Sequence, residues 1–337
     1  MKEKTLKKIL LKLLLFLSPF ILLVFIFLYK DPFKVIKTYK EYNSKPLVLN
    51  QSYVCWQNYL NHRDSINYNS FILGNSCCMG FKVKDWEKYL SSDRAVVLMG
   101  SGEALYSVLA KLKQLEKDKV EIKNALLVMD YGLLKCVTKP VKHTFVLHPE
   151  VSGESKIKFV SRFLQAFFYP KILIPYIDYS LFGTYRPYMR GIIGSSKITR
   201  NPITNDLYNP RDIEIKKDSA NYWIKHKSSF TRKTPREELS VVGNKQVEQL
   251  KEINAIFKRN NTHYSIVINP SYQELLFNRN DLKTLNGIFG EDNVFDYSGT
   301  NTYSKNNKYF YECVHFRPLL GRIILDDIYN DSSIEEI

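Results

Sequence analysis

The sequence predicts a three-layer α/β/α domain, in which helices cover both faces of a parallel sheet of about five strands. Two observations support this prediction: five short apolar runs have the composition of buried strands, and helical patterns lie between several of them. When strands and helices alternate along a chain, right-handed crossovers make the strands parallel and place helices on the faces of the sheet.

The predicted strands are apolar runs of a length that crosses a sheet once. They are SFILG at 70–74, AVVLM at 95–99, ALLVM at 125–129, YSIVIN at 264–269 and NVFDY at 293–297. Continuous apolarity is typical of parallel strands that are buried on both faces. The runs therefore predict the interior of a parallel sheet.

Helical patterns accompany the second, fourth and fifth runs. EALYSVLAKLKQLEK follows the second run, and NKQVEQLKEINAIFKRN precedes the fourth with apolar residues at helical spacing. After the fifth run comes RPLLGRIILDDIY, where Pro318 suits a first helical turn and Leu320, Ile324 and Ile328 share one face. These segments are expected to cover the sheet.

An apolar run at 9–29 follows a lysine-rich head at 1–8. Its length is about the ~20 residues that cross a bilayer as a helix. By the positive-inside rule, the head stays in the cytoplasm and the bulk of the chain lies outside, in the periplasm or at the cell surface. A cleaved signal peptide is the alternative, but the run is long for one and no small-x-small site follows it. The sequence predicts an uncleaved single-pass anchor.

The rest of the chain is expected to comprise a juxtamembrane linker at 30–69, the α/β domain at 70–330 and a tail at 331–337. The gap at about 131–243 is too long for a bare loop and predicts an inserted cap. Its aromatic stretch, FVSRFLQAFFYPKILIPYIDYSLFG, suits either a helical cap or a helix that lies on a membrane, and the cap is the commoner case.

The formal net charge is +15, of which residues 1–30 contribute five, so the remainder carries about ten positive charges. A basic surface suits anionic partners. Nucleic acid is not expected, because no nucleic-acid-binding motif is recognisable. The five cysteines form no CxxC pattern and are odd in number, which indicates neither a metal site nor a disulfide framework.

Ser76 stands just after the first predicted strand, where open α/β sheets bind their ligands. Gly74 permits a sharp turn there. A nucleophilic serine needs a base, and His315 follows the last strand at the same edge of the sheet. Glu312 is three residues earlier, so its carboxylate can orient the imidazole as the third member of a triad does.

The other histidines are more typical of structural or exposed positions; they are His62, His143, His148, His226 and His263. Cys77 and Cys78 adjoin Ser76 and would begin a helix, where a thiol can become reactive. Small buried packing residues are the commoner case for such cysteines. They are therefore expected to pack and not to react.

These segments resemble the blocks of the SGNH/GDSL hydrolase superfamily. LGNS is similar to its first block, where Gly-Asp-Ser presents the nucleophile, and ECVH is similar to its last block, usually Asp-x-x-His. VVLMGSGEALYSVLAKL resembles the second block, in which Gly102 best matches the glycine of the oxyanion hole. The resemblance covers roughly 70–130 and 245–330, and it implies a flavodoxin-like sheet of the SGNH type.

The resemblance implies a role for each matched residue. The catalytic residues would be Ser76, His315 and Glu312. The amides of Ser76 and Gly102 would form the oxyanion hole, and Gly74 and Asn75 would shape the turn at the nucleophile. No metal or organic cofactor is implied.

The sequence also departs from the family pattern. Asn75 replaces the usual aspartate, and Glu312 is one methylene longer than the aspartate of the family. The oxyanion asparagine of the family has no clear match in this chain, and where it should stand the sequence has Asp130 and Tyr131. An ionised carboxylate cannot donate to an oxyanion, and a lost donor can cost ~100-fold or more in rate. Asn201 or Asn205 could substitute, although their segment is more typical of a turn.

Within the superfamily, the anchor, INPSY after the fourth strand and HFRPLLG look most like membrane-anchored bacterial members. Those act in O-acetylation of alginate and other exopolysaccharides or in D-alanylation of teichoic acid. The resemblance implies a serine-dependent esterase or O-acyltransferase acting on an extracytoplasmic polysaccharide. Its implied partners are an acylated or anionic glycan and a multi-pass membrane acyl donor.

Two alternatives remain. A catalytically inactive glycan-binding or assembly factor on the same fold is favoured by the missing asparagine, since a fold does not fix a function. A soluble cytosolic lipase-like hydrolase is disfavoured by the amino-terminal anchor.

Overall fold

The computed structural model describes residues 2–43, 47–91, 94–194, 198–232 and 234–330. The chain divides into two compact units. The first comprises the described residues of Met1–Leu49 and Glu154–Ser196, and the second those of Asn50–Gly153 and Lys197–Ile337. The predicted tail at 331–337 lies outside the described residues.

The second unit is built on one parallel sheet of five strands, as predicted. The strands lie in the order β2-β1-β3-β4-β5. They are β1 (Ser70–Gly74), β2 (Ala95–Met99), β3 (Asn124–Met129), β4 (His263–Ile268) and β5 (Val294–Asp296). Two short strand pairs lie outside this sheet, Thr199–Arg200 with Leu207–Tyr208 and Arg236–Glu237 with Leu275–Leu276.

The α-helices are numbered along the whole chain. They are α1 (Lys2–Lys30), α2 (Gln51–Ile66), α3 (Val83–Trp86), α4 (Leu105–Lys117), α5 (Tyr131–Lys135), α6 (Pro149–Ser152), α7 (Lys156–Phe167), α8 (Pro170–Phe182), α9 (Arg211–Lys217), α10 (Ser219–Lys225), α11 (Asn244–Arg259), α12 (Arg279–Phe289) and α13 (Pro318–Asn330). Short 3₁₀ turns occur at Ser76–Gly80, Glu87–Tyr89, Pro187–Met189, Lys227–Ser229, Glu291–Asn293 and Asn307–Tyr309.

The sheet carries an apolar cluster on each face, because successive residues of a strand point to opposite sides. Phe71 and Leu73 of β1 join one cluster, together with residues of α2, α4, α11 and α12. Ile72, which lies between them, joins the other cluster with residues of α3 and α13. Helices therefore pack on both faces of the sheet.

The α/β unit begins at Asn50, which lies within the segment predicted to be a linker. Trp56 and Tyr59 of α2 are buried in the first cluster, so the linker predicted at 30–69 contains a helix that belongs to the core of the α/β unit. No local pattern indicates this role, because α2 is polar on average and its buried residues do not form a clear stripe.

The single cap predicted at 131–243 is instead shared between the units. Residues 154–194 pack with the amino-terminal helix, whereas the described residues from 198 onward belong to the α/β unit. Aromatic contacts account for this division: the rings of Phe27 and Phe167 lie 5.6 Å apart, and those of Phe33 and Phe163 lie 5.3 Å apart.

The first unit contains the apolar helix that the sequence predicts. Within the part of the chain that the structure describes, Leu6–Lys30 is one helix long and apolar enough to cross a membrane. The helix ends at a turn held by Asp31, whose carboxylate accepts the backbone N–H groups of Val35, Ile36 and Lys37. Such a helix is consistent with a membrane anchor.

Candidate active site

Ser76 lies on a sharp turn at the carboxyl end of β1. Gly74, the last residue of the strand, has φ +142°, a conformation that side chains rarely adopt. A Cβ atom at this position would overlap the carbonyl oxygen of Val128 on the neighbouring strand. Asn75 then caps the turn, because its Oδ1 accepts the N–H of Cys77 at 2.9 Å.

Gly74→Ala should therefore lower stability. Strained backbone of this kind costs about 1–3 kcal/mol, and the overlap with Val128 adds to it. Gly287→Ala is the matched control, since a Cβ there meets no atom within 4 Å and alanine favours a helix. Thermal unfolding of the two variants should show a lower Tm for the first only. An unchanged Tm for Gly74→Ala would show that the turn tolerates a side chain.

His315 contacts the serine directly. Its Nε2 lies 2.8 Å from the Oγ of Ser76, although the two residues are 239 positions apart in the chain. The other ring nitrogen, Nδ1, is hydrogen-bonded to Oε1 of Glu312. The three predicted residues thus form a continuous hydrogen-bonded chain with the arrangement of a serine triad.

The loop that carries Glu312 and His315 is a tight turn. Phe310 and Phe316 pair across its base in an antiparallel bridge, and the N–H of Tyr311 donates to the carbonyl of His315 at 2.9 Å. The carboxylate of Glu312 also accepts the N–H groups of His315 and Val314, at 2.9 and 3.1 Å. The additional methylene of glutamate is therefore accommodated by folding the side chain back over its own loop.

The charge state of Glu312 follows from these contacts. Burial raises the pKa of this carboxyl group, but the hydrogen bonds and charge of His315 and the N–H of Val314 together outweigh it, so the pKa lies below the usual value. The ionised carboxylate contributes stability above the pKa of the unfolded chain and loses it as pH falls through the lower pKa of the folded protein. At neutral pH it is ionised and can stabilise an imidazolium.

Close backbone packing joins the serine turn to the last helix. A Cβ atom on Gly321 of α13 would overlap the carbonyl oxygen of Gly80, and one on Gly80 would overlap the ring of Phe316. The turn that begins with Ser76 therefore rests directly on the segment that follows His315. This contact helps to bring Ser76 and His315 together.

The predicted oxyanion donors lie on adjacent loops. The N–H of Gly100 donates to the carbonyl of Gly74 at 3.3 Å, which ties the loop after β2 to the serine turn. Gly102 has φ +59° on that loop. Within the described residues, neither the N–H of Gly102 nor that of Ser76 donates a hydrogen bond. Neither N–H is therefore engaged by a protein acceptor among the described residues.

A buried ion pair underlies the same loop. The ammonium group of Lys111 on α4 contacts the carboxylate of Glu103 and donates to the carbonyl of Leu98 at 3.1 Å. The two charged side chains are 1% and 2% exposed. The ion pair holds Glu103, which directly follows Gly102 in the chain. No pattern in the sequence indicates this ion pair.

Asp130 has a structural role that the sequence also did not show. Its Oδ2 accepts the side-chain N–H of Asn75 at 2.7 Å, and its Oδ1 caps α5 by accepting the N–H of Leu133 at 2.7 Å. Asp130 thereby orients Asn75, whose other amide atom holds the serine turn. The position of an aspartate directly before a helix was the available signal.

The neighbouring cysteines behave as packing residues. Cys77 and Cys78 are buried. Burial raises the pKa of both thiols well above the ordinary value, and the charge of Asp130 raises that of Cys77 further. Both thiols are protonated at neutral pH and are therefore poor nucleophiles.

Asn201 and Asn205 serve a turn and do not reach the site. The Oδ1 of Asn201 accepts the N–H groups of Ile203 and Thr204, at 2.8 and 3.2 Å. Asn205 is fully buried with φ +62°, and its side chain donates to the carbonyl of Cys55 at 2.8 Å. Neither is an oxyanion donor.

A small cavity adjoins the triad loop. Its volume is about 170 Å³, and its lining includes Asp130, Glu238, Asn269, Ser271 and Val314. Burial, together with the charge of Asp130, raises the pKa of Glu238 to about 7. Its polar lining combines carboxyl groups with amide and hydroxyl side chains, which can both donate and accept hydrogen bonds.

Comparison with known proteins adds no family to this geometry. No protein-family model matches the chain, and no curated protein matches it significantly. The chemistry of the site is therefore inferred from the arrangement of Ser76, His315 and Glu312.

Proposed function

We propose that the protein is a membrane-anchored serine-dependent esterase or O-acyltransferase that acts on acyl esters of an extracytoplasmic polysaccharide. The observation that carries this proposal is the hydrogen-bonded chain from the Oγ of Ser76 through His315 to Glu312. A serine hydroxyl becomes nucleophilic when an adjacent base accepts its proton and a third group orients that base.

The proposed reaction proceeds in two halves. The Oγ of Ser76 attacks the acyl carbonyl while its proton passes to Nε2 of His315, and the ionised Glu312 stabilises the imidazolium. The tetrahedral intermediate collapses as His315 returns the proton to the leaving alcohol, which leaves an acyl ester on Ser76. Water or a sugar hydroxyl then enters by the reverse sequence and releases a carboxylic acid or a new ester. Both outcomes share the first half.

Two backbone amides would stabilise the negative charge on the carbonyl oxygen. They are the N–H groups of Ser76 and Gly102, on loops tied together by the hydrogen bond from Gly100 to Gly74. Preorganised donors of this kind contribute a large part of the rate of acyl transfer.

The topology supports an SGNH-type assignment. The strand order 2-1-3-4-5 is that of flavodoxin-like sheets, which bind ligands at the carboxyl ends of their strands. Ser76 follows the first strand, and His315 precedes the last helix. This matches the placement of the first and last blocks in the SGNH/GDSL hydrolases.

The location and partners are part of the proposal. The apolar helix α1 would be a single-pass anchor with the lysine-rich head in the cytoplasm and the α/β unit outside. The positive charge beyond residue 30 would favour an acylated or anionic glycan, and a multi-pass membrane protein would supply the acyl group.

One observation favours a second candidate function, a catalytically inactive glycan-binding or assembly factor. Asp130 occupies the place where the SGNH pattern has an oxyanion asparagine, and its carboxylate is engaged with Asn75 and Leu133. A site with two oxyanion donors would be slower than one with three.

Covalent labelling distinguishes the two functions. Full-length protein in detergent would be treated with a fluorophosphonate, which reacts with activated serines, and the adduct would be mapped by mass spectrometry. The esterase proposal expects labelling at Ser76 that is lost in His315→Ala, with a chromogenic acetyl ester turned over in parallel. Folded protein with neither adduct nor turnover would favour the non-catalytic function.

Glu312→Gln should lower kcat for ester turnover by ~10³–10⁴-fold, as loss of the charged member does in other triads. The amide can still accept a backbone N–H, so the loop should keep its fold. Asp327→Asn is a matched control on α13, since that carboxylate accepts the hydroxyl of Tyr297 at 2.5 Å and, among the described residues, makes no hydrogen bond to Ser76, His315 or Glu312. Equal rates for Glu312→Gln and the unmodified protein would contradict the assigned role.

A further inference from the structure

Helix α8 presents an apolar face to solvent. Ile174, Leu181 and Phe182 are 58%, 72% and 65% exposed. Ile174, Ile177 and Leu181 recur every three or four residues, which places them on one side of the helix, and Phe182 directly follows Leu181. An exposed apolar face of this kind marks contact with a membrane or another protein.

The helical hairpin of α7 and α8 lies against α1. Aromatic rings of α7 and the turn after it meet those of α1 and its following turn at successive levels. The centroid distances are 5.3 Å for Phe33–Phe163, 5.6 Å for Phe27–Phe167 and 6.4 Å for Phe20–Phe168. The contacts move toward the amino terminus of α1 as α7 proceeds, so the two helices run antiparallel.

These contacts set a depth for the turn between α7 and α8. Phe20 is ten residues before Lys30, which is about 15 Å along a helix that rises 1.5 Å per residue. Phe168 therefore lies beside the apolar middle of α1, near half the ~30 Å thickness of a bilayer core. If α1 crosses a membrane, the turn is inside it.

With the exception of Lys171, the charged side chains of the hairpin lie away from the turn that joins α7 to α8. Arg162 pairs with Glu154 near the start of α7, and Asp178 near the end of α8 pairs with Arg186. Between Phe163 and Ile177 the sequence carries one charged side chain, Lys171. Lys171 lies in the first turn of α8, close to Phe168, so insertion of the hairpin would bring this one charge to depth at a cost that the surrounding apolar residues must offset.

We propose that the hairpin Lys156–Phe182 is inserted in one leaflet of the bilayer beside α1, with the exposed face of α8 against lipid tails. The proposal requires α1 to span the membrane and is independent of the ester chemistry. Lipid is the favoured occupant because α1, on which the hairpin packs, is itself exposed along its apolar length, with Phe16 at 71% and Phe25 at 64%.

Spin labels in lipid nanodiscs test this arrangement. Full-length protein carrying Cys136→Ser and Cys313→Ser would be labelled with a nitroxide at Ile174→Cys. Leu239→Cys is the matched control, since Leu239 is an apolar residue of the α/β unit with 78% exposure. Collisions with oxygen, which concentrates in lipid, are compared with collisions with a water-soluble nickel chelate.

The label at 174 should show an oxygen-to-nickel collision ratio at least about tenfold above that at 239, because charged species are excluded from hydrocarbon. A label at Phe16→Cys should give a similarly high ratio. Equal ratios at 174 and 239 would overturn the proposal. Exclusion of both reagents from 174 would also overturn it, since a second protein surface would then cover α8.

Discussion

Ser76→Ala should reduce ester turnover by the full-length protein at least ~10⁴-fold, because loss of a triad nucleophile removes nearly all covalent catalysis. The substitution removes only the hydroxyl group of Ser76. Its sole side-chain partner among the described residues is Nε2 of His315, 2.8 Å away. The fold should therefore be unaffected, and the Tm of the variant should match that of the unmodified protein.

The measurement combines kinetics with mass spectrometry of an acyl adduct. Ser65→Ala is the matched control, since that hydroxyl is exposed on α2 and only donates to the carbonyl of His62. Turnover retained by Ser65→Ala and lost by Ser76→Ala would establish the serine mechanism. Turnover retained by both would place the nucleophile elsewhere and remove the basis of the esterase proposal.

Lys111→Met should lower the stability of the protein by ~3–5 kcal/mol, as removal of one partner of a buried ion pair does. Among the described residues, the substitution would leave the carboxylate of Glu103, 2% exposed, with only the hydroxyl of Ser52 at 3.4 Å as a remaining side-chain donor. An uncompensated charge in an apolar surrounding is strongly unfavourable. The loop that carries Gly102 should lose its support at the same time.

Thermal unfolding in detergent measures this effect. For a unit of this size, the loss corresponds to a fall in Tm of roughly 6–20 °C. Lys113→Met on the same helix is the control, because its side chain is 55% exposed and should change stability little. Combining Lys111→Met with Glu103→Leu should recover much of the loss. If Lys111→Met alone has the same Tm as the unmodified protein, the ion pair contributes nothing to stability.

The sequence is most informative where local composition alone determines the structure. Each predicted apolar run contains a strand of the sheet, and the first three strands are buried throughout, because a buried parallel strand has no polar face to interrupt it. Ser76 and His315 can be paired from the sequence because parallel strands end at one edge of the sheet. Glu312 follows from its three-residue distance to the histidine.

The remaining features depend on contacts that no local pattern encodes. Asp130 meets Asn75 across 55 positions, and Arg200 is buried by contacts with residues about 150 positions earlier. Helix α2 is polar on average and yet buries Trp56. In each case, a contact with residues far away in the sequence stabilises a side chain that its neighbours in the sequence would leave exposed to solvent.

The contact between Gly80 and Gly321 has a consequence for biosynthesis. Translation produces Ser76 well before His315, since the two residues are 239 positions apart in the chain. The segment that follows His315 packs on the serine turn through Gly321 and Gly80. A nascent chain in which α13 has not yet packed on this turn is therefore expected to lack the contact between Ser76 and His315.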